Sequence, residues 1–271
     1  MIDTSTLPQQ APEFDLRELL DAGLHFGHQK AKWHPKMNDW IYMEKDLVHI
    51  FDLEKTAQQL TIGYNLLYQM GSKGKTVIVV GTKRQAGKLV EETATANGLM
   101  YITSRWLGGL MTNFDQVKLS LKRMLEIEKG LADGSYKNYT KYEQVQLEKE
   151  LNRLKRFFEG IRELKKQPDC LVVVDPKRER KAVREAQTLG IPVIALTDSN
   201  TDPTDIDVVI PGNDDALKSI KFVINTLAEG FVAGKHAKKA DKPADKSADD
   251  KTADKTDTKA EKSAKTDKKK E

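Results

Sequence analysis

The sequence predicts an α/β protein in which a parallel sheet, covered by helices on both faces, is interrupted by a helical insertion and followed by a disordered tail. Three observations carry this reading. Residues 76–80, 171–174 and 191–196 are short, β-branched and almost continuously apolar, the pattern of strands buried on both faces. The helical stretches at 83–97 and 177–189 stop at Gly98 and Gly190, where a left-handed residue ends a helix cheaply. Between Thr112 and Gln167 the β pattern disappears for more than fifty residues.

In chain order, residues 16–22 read as a short helix, 40–51 as a β-hairpin and 54–70 as the helix before the first core strand at 76–80. The helix at 83–97 follows. Within the insertion, Phe114, Val117, Leu121, Met124 and Leu131 fall mostly three and four residues apart, with Glu128 in the seam. Leu147, Leu151, Leu154, Phe158 and Ile161 repeat the spacing after a turn at Asp133-Gly134, which predicts a protruding antiparallel helical hairpin. The sheet pattern then resumes with 171–174, helix 177–189, strand 191–196, strand 208–210 and helix 214–232. The predicted organisation is a globular α/β domain from 1–111 and 168–233, a hairpin domain at 112–167 and a disordered tail at 234–271. No branched aliphatic or aromatic residue follows Gly234, so the tail cannot bury enough apolar surface to offset its ordering entropy.

Of 271 residues, 38% are hydrophobic and 32% charged, the range of a soluble globular chain. Its longest apolar runs fall far short of the roughly 20 residues that span a bilayer, so no membrane partner is expected. The first residues have neither the basic nor the apolar region of a secretory signal. One cysteine, Cys170, excludes an internal disulfide framework and suits a reducing cytoplasm. The net charge of +4 resides in the tail, because residues 235–271 hold 13 of the 45 basic and 9 of the 41 acidic side chains, leaving 32 of each elsewhere. Any polyanion site is therefore a local patch.

Most motifs that suggest chemistry have a plainer reading. Lys73-Gly74-Lys75-Thr76 resembles the end of a phosphate-binding loop, but Gln69 stands where the first glycine belongs and the motif precedes its strand. Asp175 and Asp198 each follow a core strand and could pair on a divalent metal, although capping and turn formation account for both. His25, His28, His34 and His49 are close in sequence without a cysteine, which argues against zinc. Gly81-Thr82-Lys83-Arg84 follows a strand and opens a helix, where an open α/β sheet binds its ligand. From His28 to Lys36 three lysines, two histidines and Trp33 occur without an acid, and Arg105-Trp106 beside Gly108-Gly109 repeats the pairing of cation and ring.

Several of these blocks together resemble the bacterial family of small-subunit ribosomal protein two. They are Leu19-Leu20-Asp21-Ala22-Gly23-Leu24-His25-Phe26-Gly27-His28-Gln29, Trp33-His34-Pro35-Lys36-Met37, Val80-Gly81-Thr82-Lys83-Arg84-Gln85-Ala86, the run from Arg105 to Phe114, and Ile210-Pro211-Gly212-Asn213-Asp214-Asp215-Ala216. The segments at 168–176 and 191–198 fit as well. Ser199-Asn200 stands where the family more usually has Thr-Asn, which keeps a hydroxyl. The resemblance covers about residues 14 to 233 and leaves the tail outside. It implies a flavodoxin-like (Rossmann-like) sheet with a helical hairpin, and a non-catalytic, cytoplasmic, ribosome-bound role near the junction of head and body. Its implied partners are small-subunit rRNA and neighbouring ribosomal proteins, including the large first protein that captures mRNA. No cofactor, metal or small-molecule substrate is implied.

Charge clustering nominates Lys30, Lys32, Lys36, Lys83, Arg84, Arg105, Lys177 and Arg178 as phosphate contacts. Trp33, His34 and Trp106 are the stacking or packing groups beside them. Two rival readings remain at this point: a metal-dependent phosphohydrolase using Asp175 and Asp198, and a protein-docking module that works through the hairpin alone.

Overall fold

The structure is a computed structural model that describes residues 6–240. Five parallel strands form its centre: β4 (Val77–Val80), β5 (Met100–Ile102), β6 (Cys170–Val174), β7 (Val193–Thr197) and β8 (Val208–Pro211), in the order β5-β4-β6-β7-β8. This is the flavodoxin-like order, and the connection reverses direction between β4 and β6. Ligands of such sheets bind outside the carboxyl ends of the strands at that reversal.

Alternation along each strand divides the core into two layers. Val77, Val79, Cys170, Val172, Val174, Ile194 and Leu196 face α2 (Leu53–Lys73), α3 (Arg84–Asn97) and α7 (Leu217–Ala240). Ile78, Val80, Leu171, Val173 and Ala195 face α4 (Phe114–Ala132) and α6 (Arg180–Leu189). Ahead of this sheet stand α1 (Leu16–Asp21) and a three-stranded antiparallel sheet ordered β1-β3-β2, from β1 (Phe26–Gln29), β2 (Ile41–Lys45) and β3 (Val48–Phe51). Strands β2 and β3 are the expected hairpin, while β1 and the 3-10 turns at Lys30–Lys32 and Pro35–Trp40 are additions to it.

Local signals set the ends of the elements. Asp52 accepts hydrogen bonds from the Glu54 and Lys55 amides to start α2, and Gly74, at φ 65°, ends it. The phosphate-loop look-alike at 73–76 is thus a helix stop. The helix after β6 starts at Arg180 and not at Lys177, because Asp175 takes φ 60° before Pro176 and its carboxylate accepts from the Arg178 amide. The edge strand β5 has only three residues and one β-branched side chain, too little to register as periodicity.

The insertion is rooted in the core and does not stand apart as a domain. Phe114, Val117, Leu121, Met124 and Ile127 of α4 are buried in the same cluster as the sheet residues, and α5 (Lys141–Phe158) adds Leu151 and Phe158. Residues 112–167 belong to one compact unit with the rest of the described chain. The expected tail is also shortened at its start: residues 234–240 continue α7, because Lys235 Nζ donates to the Gly98 carbonyl and Lys238 Nζ to the Lys73 carbonyl. Residues 241–271 lie outside the described residues.

Candidate nucleic-acid interface

Three neighbouring strand ends deliver side chains to one cleft. Thr82 follows β4, Ser104 to Trp106 follow β5, and residues 177–184 follow β6 and open α6; together they line a cleft of about 540 Å³. Six of the lining residues are basic: Arg105, Lys177, Arg178, Arg180, Lys181 and Arg184. All six are exposed, and none forms an ion pair among the described residues. Arg178 Nε donates to Thr82 Oγ1 at 3.3 Å, tying the β4 and β6 loops together. The single acid, Glu179, is buried, hydrogen-bonded by the Thr82 hydroxyl, and its pKa is raised by burial. A second cleft of about 370 Å³ shares Lys177, Arg180 and Arg184 and is mixed in charge, with His34 and Asn200 beside Asp202 and Asp205.

The loop that carries Arg105 is held from beneath by Glu185 of α6. Its Oε1 accepts from Trp106 Nε1 at 3.0 Å and the Gly109 amide at 2.8 Å, and its Oε2 accepts from the amides of Met111 (3.0 Å) and Thr112 (3.3 Å). Trp106 is therefore a packing group, only 4% exposed, and its ring is not a stacking surface for a base. Trp33 is half-buried with its ring 5.3 Å from that of His49.

Lys83 is the main correction among the nominated phosphate contacts. Its ammonium turns inward to Asp214 (2.7 Å), Asp215 (2.6 Å) and Asp175 (3.4 Å). Burial opposes its charge, but the hydrogen bonds to Asp214 and Asp215 outweigh it and raise the pKa, so the charge is spent inside the protein. Lys30 pairs with Glu44 at 2.6 Å and Lys36 with Asp202 at 3.3 Å, both near the surface. Lys32 and Arg84 are exposed and make no ion pair among the described residues. His34 caps the turn at 35–40, and its amide donates to the Ser199 carbonyl at 2.7 Å.

The four N-terminal histidines do not assemble with one another. His28 instead meets carboxylates from the far end of the chain: Nδ1 lies 2.6 Å from Asp198 Oδ2 and Nε2 lies 3.7 Å from Asp215 Oδ2. With Asp214 these residues bring four donor atoms within 4.8 Å of one another, a grouping that could hold a divalent cation. The Asp198 hydrogen bond raises the His28 pKa. Burial, followed by the charges of Asp175 and Asp198, raises that of Asp214 to about 7. The neighbouring carboxylates contribute to both shifts, and the hydrogen bond from Lys83 opposes that of Asp214. The carboxylates paired in the sequence reading, Asp175 and Asp198, thus serve different partners. No nearby sequence signal could show this, since the residues that meet His28 lie 170 positions or more away.

The crevice at the carboxyl ends of β4, β5 and β6 is thus lined by cations without ion-pair partners among the described residues. The family described as Ribosomal protein S2 matches residues 19–234, the stretch that builds this crevice and both layers of its core, and the chain belongs to that family.

Proposed function

We infer that the chain, a structural protein of the small ribosomal subunit by family membership, serves translation as an rRNA-binding component of that subunit. We propose that it binds rRNA through the cleft at the carboxyl ends of β5, β4 and β6, with Arg105, Lys177, Arg178, Arg180, Lys181 and Arg184 as phosphate contacts, and that the exposed Lys32 and Arg84 make further ones outside the cleft. The observation that carries this is six exposed cations on one cleft without a carboxylate partner. Lys83 acts inside the fold and sets the loop at the end of β4. Neighbouring ribosomal proteins, including the large mRNA-capturing first protein, are the second class of partner. The outer face of the small sheet offers such neighbours apolar surface, with Phe26 48% and Met43 47% exposed on either side of Ile50.

The test is RNA binding as a function of salt. Each phosphate contact contributes about 0.9 to the slope of log affinity against log salt on a duplex, and about 0.7 on a single strand. Replacing Arg178, Arg180 and Arg184 with alanine should reduce the slope by about two to three units and weaken incorporation into the subunit. An unchanged slope with intact folding would remove the cleft as the RNA site.

A further inference from the structure

The turn between α4 and α5 presents a second arrangement of rings and cations that shares no residue with the cleft. Tyr139 is 47% and Tyr142 73% exposed, a large aromatic area for a surface loop. The loop is rigidly built. Tyr136 packs against Gly130, where a Cβ would collide with its ring, and its own ring lies 5.1 Å from that of Tyr139. Gln144 Nε2 donates to the carbonyls of both Tyr136 and Tyr139 at 3.1 Å. Thr140 and Glu143 form a reciprocal capping box that fixes the start of α5.

The same hydrogen bonds sort the charges. Asp133 accepts from the amide and hydroxyl of Ser135, and Glu143 from the amide and hydroxyl of Thr140, so both carboxylates, though exposed, are tied to neighbouring donors of the loop. Lys137 and Lys141 are exposed and form no ion pair among the described residues. The exposed surface of the turn therefore carries two rings, two lysines without ion-pair partners among the described residues, and two carboxylates already engaged by hydroxyl and amide donors. A protein partner of apolar character would leave those cations unpaired, whereas an unpaired RNA strand supplies base faces for the rings and phosphates for the lysines.

We propose that this turn is a second RNA contact, specific for unpaired nucleotides, in which bases stack on Tyr139 and Tyr142 and the adjoining phosphates are held by Lys137 and Lys141. It rests on the RNA-binding reading above, to which it adds the strand state and the chemistry of recognition. Rigid rings lose little conformational entropy on stacking, and every base has a π-face, so the contact selects unpaired over paired RNA without reading sequence.

The experiment is a titration of the full-length protein with two fluorescent RNAs of equal length, one an unstructured strand and one a blunt duplex. Replacing both tyrosines with alanine should weaken binding of the single strand by about 25-fold, or about fivefold per ring, and leave the duplex unchanged. Tyr139→Phe with Tyr142→Phe should bind as the parent does, since the ring and not the hydroxyl stacks. Lys137→Ala with Lys141→Ala should lower the single-strand salt slope by about 1.4. Tyr142 and the lysines are exposed and should leave the melting temperature unmoved, and Tyr142→Ala alone separates a stacking loss from any effect of removing the Tyr139 ring from Tyr136. Equal single-strand affinity for the alanine and phenylalanine pairs overturns the proposal, as does a loss of binding to ribosomal proteins but not to RNA. If cleft variants lose RNA while the tyrosine variants keep it, the turn alone is refuted; a parent protein that binds neither RNA refutes both readings.

Discussion

Replacing Glu185 with glutamine tests whether the Arg105 loop is preorganised. The carboxylate accepts from Trp106 Nε1 and three backbone amides at 2.8–3.3 Å, two of these N–H groups on each oxygen, and Oε2 also accepts from the Thr112 hydroxyl at 3.4 Å. An amide has one accepting oxygen, so whichever way it turns, two N–H groups lose their acceptor and face another N–H. Each buried donor left without a partner costs about 1–3 kcal/mol, and the surviving bonds lose their charge assistance. The expected destabilisation is about 4 kcal/mol. At about 2–4 °C per kcal/mol for a protein of this size, the melting temperature should fall by about 8–16 °C.

The RNA assay gives the same variant a second, independent sign. Removing a negative charge beside a basic cleft tightens RNA binding if long-range electrostatics alone decides. If Glu185 works by holding Arg105 and its neighbours in place, affinity falls despite the added positive charge. A loss below about 1 kcal/mol in urea unfolding, combined with tighter RNA binding, would refute the idea that this carboxylate organises the loop.

Three further expectations follow from the geometry. Asp169 accepts from the Thr76 amide and from Lys75 and Lys166 Nζ, each at 2.9 Å. Burial alone would raise its pKa, but these three donors together lower it to about 2, below the unfolded value. The carboxylate therefore contributes about 2 kcal/mol at neutral pH that is lost as pH falls from about 4 to 2, and Asp169→Asn should flatten that limb of the stability curve; melts across acid pH that overlay those of the parent would contradict this. Lys83→Met should cost about 3–5 kcal/mol of folding stability by leaving Asp214 and Asp175 uncompensated; a variant that melts normally and loses only RNA affinity would return Lys83 to the phosphate contacts. Asp46 and Leu47 turn the β2–β3 hairpin at φ 52° and 62°, so Leu47→Gly should stabilise by about 1 kcal/mol in chemical denaturation, and a loss of stability would show that the Leu47 side chain contributes more than its strained backbone costs.

The sheet was legible in the sequence because strands buried on both faces have to be continuously apolar, and because Gly74, Gly98 and Gly190 end the helices that separate them. Strand β5 escaped because an edge strand of three residues needs no such pattern. The hairpin stripe was legible as a stripe, but spacing cannot say what covers it: Ile127 and Met124 have no exposure because they pack into the sheet layer as well as the next helix. Local charge nominated Arg105, Lys177 and Arg178, and the structure puts all three on one cleft. Arg180, Lys181 and Arg184 were not nominated, because nothing local in the sequence shows that the first turns of α6 line the same cleft. Lys83 was misjudged because the acids that engage it lie 92 to 132 positions downstream.

A neutral folded body and an RNA-binding role are compatible because the fold separates its charges along one sheet edge. At the ends of β7 and β8, Asp198, Asp214 and Asp215 turn toward His28 and Lys83. At the ends of β5, β4 and β6, Asp175 is engaged by Lys83 and the Arg178 amide, and Glu179 and Glu185 are bound by hydroxyl, indole and amide donors. Cations between them are left without partners. Equal numbers of acids and bases thus yield an edge that is acidic where it closes on itself and basic where it opens to solvent. A polyanion is held by the local potential within about a Debye length, roughly 8 Å at physiological salt, and not by the sum over the chain. Uniform positive charge would attract any nucleic acid, whereas a confined basic cleft of fixed shape requires phosphates at particular positions. That requirement suits a protein that must occupy one place in a large ribonucleoprotein.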